Sequence, residues 1–249
     1  MNMAKPATEK LANSSRLVAI SQTSRFMTAL AALGIVLIVI GSVVQYVWVS
    51  WSDGGARSHI ITVPSVPTTC TANFKLNYVV RLYAGWNLVS LQVVPVNTAI
   101  TSVHSGLIAS NEVASVWSYS AATKTWQFFT PPAAGTLKTM TDGNGYWVFM
   151  RKADILYVNG SIIPSAASPP IYSLNSGWNL VGFKPQPIVQ NETVAQYLTS
   201  ISSRYDVSNV WIYDNNNGVW IRATPSTWIV PGQAMWILVT SPSGAALRP

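Results

Sequence analysis

One stretch of this chain is written twice. Ala84-Gly85-Trp86-Asn87-Leu88-Val89-Ser90 recurs 92 residues later as Ser176-Gly177-Trp178-Asn179-Leu180-Val181-Gly182. Pro95 and Pro187 keep that offset. Val116-Trp117-Ser118-Tyr119 and Trp126 return as Val210-Trp211-Ile212-Tyr213 and Trp220 at an offset of 94, and Gly143 and Trp147 return as Gly232 and Trp236 at 89. Drift of so few residues implies one fold used twice. Two similar units in tandem favour a protein that presents surface over one organised around a single catalytic cleft.

Each unit reads as β-rich with one short helix. Residues 78–82 and 86–91 flank Gly85, and 171–174 and 178–183 flank Gly177; glycine supplies the positive φ of a tight turn, so both pairs are expected to be hairpins. The period then changes. Val194, Tyr197, Leu198 and Ile201 fall at i, i+3, i+4 and i+7, an amphipathic helix over 192–201, with 98–107 its weaker counterpart. A second hairpin follows, with Trp117 and Tyr119 facing Trp126 and Phe128 across a turn at 120–124, repeated by Trp211, Tyr213 and Trp220 around Asp214-Asn215-Asn216-Asn217-Gly218. Strands at 145–150, 155–158 and 234–239 complete the units, and the last strand of the second copy is expected to be lost or degraded. With only 9% of residues charged, most of the recurring tryptophans are expected to pack the cores.

From Phe26 to Trp51 no residue is charged. As a helix this run would extend roughly 39 Å at ~1.5 Å per residue, beyond the roughly 30 Å of bilayer hydrocarbon. Tyr46, Trp48 and Trp51 cluster at one end, where amphipathic rings seek the interface, and Lys5, Lys10, Arg16 and Arg25 precede the other. The expected fold is therefore a single N-terminal transmembrane helix followed by two tandem β-rich α+β modules. It comprises a cytoplasmic segment 1–25, the helix 26–51, an extended stalk 52–72, and extracytoplasmic modules at 73–164 and 165–249, with the lipid bilayer as first partner. A cleaved signal is the alternative, against which the length of the run counts. Ala31, Gly34, Gly41 and Ser42 would lie along one side of that helix, where small side chains admit a neighbouring helix.

The Gly-Trp-Asn-Leu-Val opening, the Val-Trp-x-Tyr-x6-Trp hairpin and the late Gly-x-Gly-Tyr-Trp-Val strand together resemble the Gly-Trp-Asn-Leu (GWNL) type repeat modules of exported and cell-surface proteins of bacteria and archaea. The resemblance covers about residues 78–240. It implies location and architecture and is not tied to one activity. The second copy departs from it where Gly145-Tyr146 is replaced by Ala234-Met235.

The residues argue against several chemistries. Net charge is +7, but beyond residue 51 the eleven Lys and Arg are scattered among seven Asp and Glu, so no basic face exists to neutralise phosphates and nucleic acid is not an expected partner. His59 and His104 sit in no metal-ligand spacing or nucleophile pattern, and His104 reads as structural. Asp142-Gly143-Asn144-Gly145 and Asp214 to Gly218 look like the start of a calcium loop but lack its later bidentate glutamate, so they read as Asx-Gly turns. Cys70 has no intrachain partner. No catalytic, cofactor or metal residue is assigned. Trp228, with no counterpart in the first copy, is the candidate exposed contact, and Asn159 and Asn191 head glycosylation sequons.

The expected function is that of a non-catalytic, membrane-anchored surface protein making protein–protein contacts. Its partners would be other envelope or membrane proteins, in a layer, in a filament or as an accessory subunit, or further copies of itself. The alternative is a pair of glycan-binding modules resting on the aromatic richness.

Overall fold

In the computed structural model, which describes residues 16–17, 27–30, 43–61, 69–161, 170–184 and 191–248, the repeated Gly-Trp-Asn motif forms a corner between two sheets. The strands of the first repeat are β1 (Ala72–Leu82), β2 (Gly85–Ser90), β3 (Val113–Ser120), β4 (Thr125–Thr130), β5 (Gly145–Met150) and β6 (Asp154–Val158). Those of the second are β7 (Tyr172–Leu174), β8 (Gly177–Gly182), β9 (Tyr205–Asp214), β10 (Val219–Arg222), β11 (Ala234–Val239) and β12 (Ala245–Leu247).

Gly85 and Gly177 turn the chain at φ +91° and +96°. The expected hairpins do not form there: β1 pairs with β6 and β2 with β5, while β7 pairs with β12 and β8 with β11, all antiparallel. The asparagine explains the difference. Asn87 Oδ1 accepts from Tyr83 N at 2.8 Å and its Nδ2 donates to Tyr83 O at 2.7 Å and Gly85 O at 3.1 Å; Asn179 does the same with Asn175 and Gly177. A buried side-chain amide thus occupies the backbone groups that a hairpin neighbour would have taken, and the incoming strand leaves for another sheet.

The remaining pairings repeat register for register. In order, β4, β3, β5 and β2 form the main sheet of the first repeat, with Ala134–Gly135 on the β4 edge, and β10, β9, β11 and β8 form that of the second. Trp147 lies opposite Trp117 and Leu88 as Trp236 lies opposite Trp211 and Leu180, and Tyr119 faces Trp126 as Tyr213 faces Trp220. Side-chain alternation sends Val181, Val210, Ile212, Met235, Ile237 and Val239 to one face of the second sheet, where Val194, Tyr197, Leu198 and Ile201 close a core. The positions equivalent to those four, Ile100, Val103, His104 and Leu107, are likewise buried.

Three further expectations are corrected. Among the described residues the α-helices are α1 (Ile100–Val103), α2 (Ser105–Ala109) and α3 (Val194–Tyr197), the last held by a Thr193–Gln196 capping box and followed by a 3₁₀ turn at Thr199–Ile201, so the fold is mostly β; four or five residues make one turn, which packing and caps rather than helix propensity hold in place. The last strand of the second copy is present as β12. And the apolar run expected to be a transmembrane helix contains strands at Met27–Leu30 and Val43–Trp51, while no helix among the described residues is long and apolar enough to cross a membrane. Val43-Val44-Gln45-Tyr46-Val47-Trp48-Val49 is β-branched and aromatic, a composition that suits a pleated strand as well as it suits lipid. Ala31, Gly34, Gly41 and Ser42 lie outside the described residues.

The chain divides into two compact units, Met1–Val36 with Tyr46–Leu76, and Leu37–Gln45 with Asn77–Pro249. In the first, within the expected stalk, Ser58–Ile61 pairs with Met27–Leu30. There His59 Nε2 meets Asp53 Oδ2 at 2.9 Å and the Cys70 thiol donates to the same oxygen at 3.6 Å. The mutual hydrogen bond holds the Asp53 carboxyl below its ordinary range and raises His59, whereas desolvation first, and Asp53 second, push the Cys70 thiol up. Both repeats belong to the second unit.

Candidate functional site

The face of each sheet turned away from its core carries the rings. Trp86, Trp126, Trp178 and Trp220 are 40–48% exposed, and Trp117, Trp147, Trp211 and Trp236 are half-buried; Trp147 and Trp236 pack against a small buried cluster, but none of the eight is buried in a sheet core, where the sequence expectation placed most of them. Valine, leucine, isoleucine and methionine at the alternate positions already fill the cores, which leaves the rings to the second face.

The two ring faces interlock about a pseudo-twofold relation. Trp147 stands edge-on to Trp86 of its own repeat, with centroids 6.0 Å apart at 89°, and packs on Tyr213 at 4.9 Å and Trp220 at 5.4 Å from the other. Trp236 stands edge-on to Trp178 at 6.3 Å and 82°, and packs on Tyr119 at 5.2 Å and Trp126 at 5.7 Å. Beneath the rings Leu88, Leu180 and Ala234 form a small buried cluster. The backbone exchange is reciprocal too: Ser90 N donates to Gly232 O at 2.8 Å and Gly182 N to Gly143 O at 3.0 Å. Asn215 adds a bond pair to Leu88, accepting from its N at 2.7 Å and donating to its O at 3.2 Å.

This interlock leaves two open aromatic grooves. One, of about 670 Å³, is lined by Trp86, Trp117, Trp126, Trp147, Tyr213, Trp220 and Trp236; the other, of about 560 Å³, by Tyr119, Trp178, Trp211, Trp220 and Trp236. A third cavity of about 600 Å³ is polar, with Ser118, Gln127, Thr139, Ser173 and Asn175 in its wall, and it too reaches Tyr119. No family model, curated protein or solved structure matches the chain.

The residues singled out from sequence fall elsewhere. Trp228 is 63% exposed on the short strand Trp228–Ile229 and lines neither groove. Asn159 and Asn191 are both exposed. Asp214 spends its carboxylate on Asn216 N, Asn217 N and Asn217 Nδ2, a closed Asx turn, and no cluster of three His, Cys, Asp or Glu suited to a metal occurs among the described residues. His104 is fully buried, its Nδ1 3.3 Å from Ile100 O and its Nε2 without a partner, and desolvation lowers it to about 4, so it is neutral and sealed from any substrate.

One polar cluster was missed. Asp142, in the other loop read as an Asx-Gly turn, accepts from the fully buried Lys184 ammonium and, at 2.9 Å, from Tyr172 OH. Burial, then the Asp142 charge, raise the Tyr172 phenol, and burial raises Tyr197, whose OH bonds Gly182 O at 2.8 Å. The available signal was Lys184 itself, a lone cation directly after the apolar run of β8. The cluster ties the first repeat's 141–145 loop to the second repeat.

Proposed function

We propose that this chain is a non-catalytic surface protein of the cell envelope that acts by contact, the aromatic face being what it offers to its partner. One observation carries the reading: Trp86, Trp126, Trp178 and Trp220 remain accessible within one interlocked array. Each aromatic side chain can bury about 150–250 Å², and a folded protein that leaves several of them together on its surface has an apolar patch of the kind that marks a binding site. Edge-to-face packing holds the rings before any partner arrives, so binding has little side-chain order to impose.

The envelope as location is supported by the resemblance of the Gly-Trp-Asn-Leu repeat to modules of exported and cell-surface proteins. A layer or filament neighbour, a subunit of a membrane complex, another copy of the chain and a glycan are partners for which such a face is suited.

The test is co-sedimentation of the full-length chain with envelopes of its own cells. Wild type is expected to pellet at micromolar concentration. A folded variant carrying Trp86→Ala, Trp126→Ala, Trp178→Ala and Trp220→Ala is expected to need at least about tenfold more envelope, the equivalent of ~1.4 kcal/mol. A quadruple variant that pellets like wild type removes the reading.

A further inference from the structure

We infer that the partner recognised by this face is a neutral glycan, seated in the polar cavity together with the one aromatic groove that Tyr119 joins to it. This rests on the reading of the aromatic face as a contact surface and adds the chemistry of what it contacts.

A sugar ring presents an apolar C–H face and a rim of hydroxyls. A site for it therefore needs a ring platform beside convergent hydroxyl and amide groups, without a strong field of either sign. Both grooves are lined by tryptophan and tyrosine alone, and they differ in what adjoins them: the groove of Trp86 and Trp117 shares no residue with the polar cavity. The groove of Trp178 and Trp211 shares Tyr119 with the polar cavity, where the exposed side chains of Thr139, Ser173 and Asn175 supply uncharged donors and acceptors.

The asymmetry arises because the cavity is built from unlike parts of the two repeats. The loop after β4, including Thr139, comes from the first, and the β7 corner, with Ser173 and Asn175, from the second. Charge complementarity selects among occupants. Lys138 is the one charged residue in the cavity wall and the groove has none, so an acidic polymer would find a single counter-charge. An apolar protein surface could fill the groove, but it would cover the amides and hydroxyls of the cavity without pairing them, which costs free energy for every polar group left unsatisfied. A chain of neutral sugars stacks on the rings and pairs with the rim.

The experiment has two arms, both with the full-length protein. In the first, cellohexaose, laminarihexaose and mannohexaose are titrated while tryptophan fluorescence is followed. At least one is expected to shift the emission saturably; Trp178→Ala and Asn175→Ala, both at exposed positions, are expected to weaken that binding about tenfold or more, whereas Trp228→Ala, exposed but lining neither groove, leaves it within about twofold. In the second, envelopes are treated before co-sedimentation either with periodate, which cleaves the vicinal diols of sugars, or with protease. Retention is expected to be lost after periodate and to survive protease. Loss after protease alone, or hexaoses that shift nothing, or equal weakening by Trp228→Ala and Trp178→Ala, would overturn the glycan assignment while envelope contact through the aromatic face stands. Failure of wild type to sediment with untreated envelopes would instead remove the contact reading itself.

Discussion

Ser90 and Gly182 occupy equivalent positions of the two repeats and lie against each other: a Cβ on Gly182 would come 2.8 Å from that of Ser90 and 2.6 Å from Asn144 O. Gly145 stands in the same relation to its own counterpart, Ala234, with a Cβ there 3.0 Å from the Ala234 Cβ and 2.7 Å from Leu180 Cγ. Where a duplicated structure meets itself, equivalent residues are neighbours, and at both places the seam has room for one side chain. The divergence of the repeats at Ser90/Gly182 and Gly145/Ala234 therefore has a steric cause.

Gly182→Ala is expected to lower stability by about 2–3 kcal/mol, since the added methyl must displace backbone as well as a side chain. Adding Ser90→Gly removes one of the two clashing neighbours but also the hydroxyl that donates to Phe183 O at 3.0 Å and Gln233 O at 2.8 Å, so the double variant should recover only a small part of that loss. Urea midpoints of the single and double variants decide it; a fully tolerated Gly182→Ala would mean that the repeats are not pressed together at this point.

The corner asparagines carry the second expectation. Asn87→Ala and Asn179→Ala each strip a buried amide from backbone N–H and C=O groups that have no strand neighbour there, at a cost of about 2 kcal/mol apiece. Asn87→Asp keeps the acceptor for Tyr83 N but loses the donor to Tyr83 O, so it should also destabilise despite equal size. If chemical denaturation shows Asn87→Asp matching wild type, the account of the corner fails.

Much of this architecture could be read from the residues because alternation in strands is a rigid rule. The Trp117, Tyr119, Trp126 and Phe128 face of the β3–β4 hairpin and its repeat in Trp211, Tyr213 and Trp220 follow from a period of two. The same rule says which residues share a face and nothing about which face becomes covered, so it does not separate tryptophans that fill a core from those that line the aromatic grooves. Gly85 and Gly177 announced a reversal of direction, but the choice between hairpin and corner lies in hydrogen bonds from Asn87 and Asn179 that spacing alone does not display. β12 is three residues with two alanines, too short for any pattern to register. In the apolar run, hydrophobicity over 26–51 predicts a helix, whereas Val43–Trp51 forms a strand, as its β-branched and aromatic composition also allows.

Lys184 and Asp142 give a third expectation. Either Lys184→Met or Asp142→Leu alone strands a charge in a buried site and should cost about 3–5 kcal/mol, while the double variant, which removes both charges, should recover most of it. A double-mutant cycle in thermal or urea unfolding measures the coupling. Additive losses would show that the pair does not act as a unit.

His104 sets the pH dependence of the second unit. It takes the place in the first repeat that Leu198 takes in the second, on the buried face, with Nδ1 toward Ile100 O and Nε2 unpaired. Burial lowers its folded pKa to about 4, below the ordinary histidine value of 6.5, so between those values the unfolded chain binds the extra proton and the folded chain does not. Stability from this residue is therefore fully present above pH 6.5 and falls as pH drops toward 4, by up to about 1.4 kcal/mol per pH unit. His104→Leu removes both the titration and the orphaned acceptor. The variant should be about 1–3 kcal/mol more stable than wild type at pH 7.5, and its advantage should widen from pH 6.5 to 5, since the raised His59 and the lowered carboxyls of Asp154, Asp206 and Asp214 are common to both proteins and cancel in the difference. Parallel pH profiles for the two proteins across that interval would show that His104 takes up its proton in the folded state as readily as in the unfolded one.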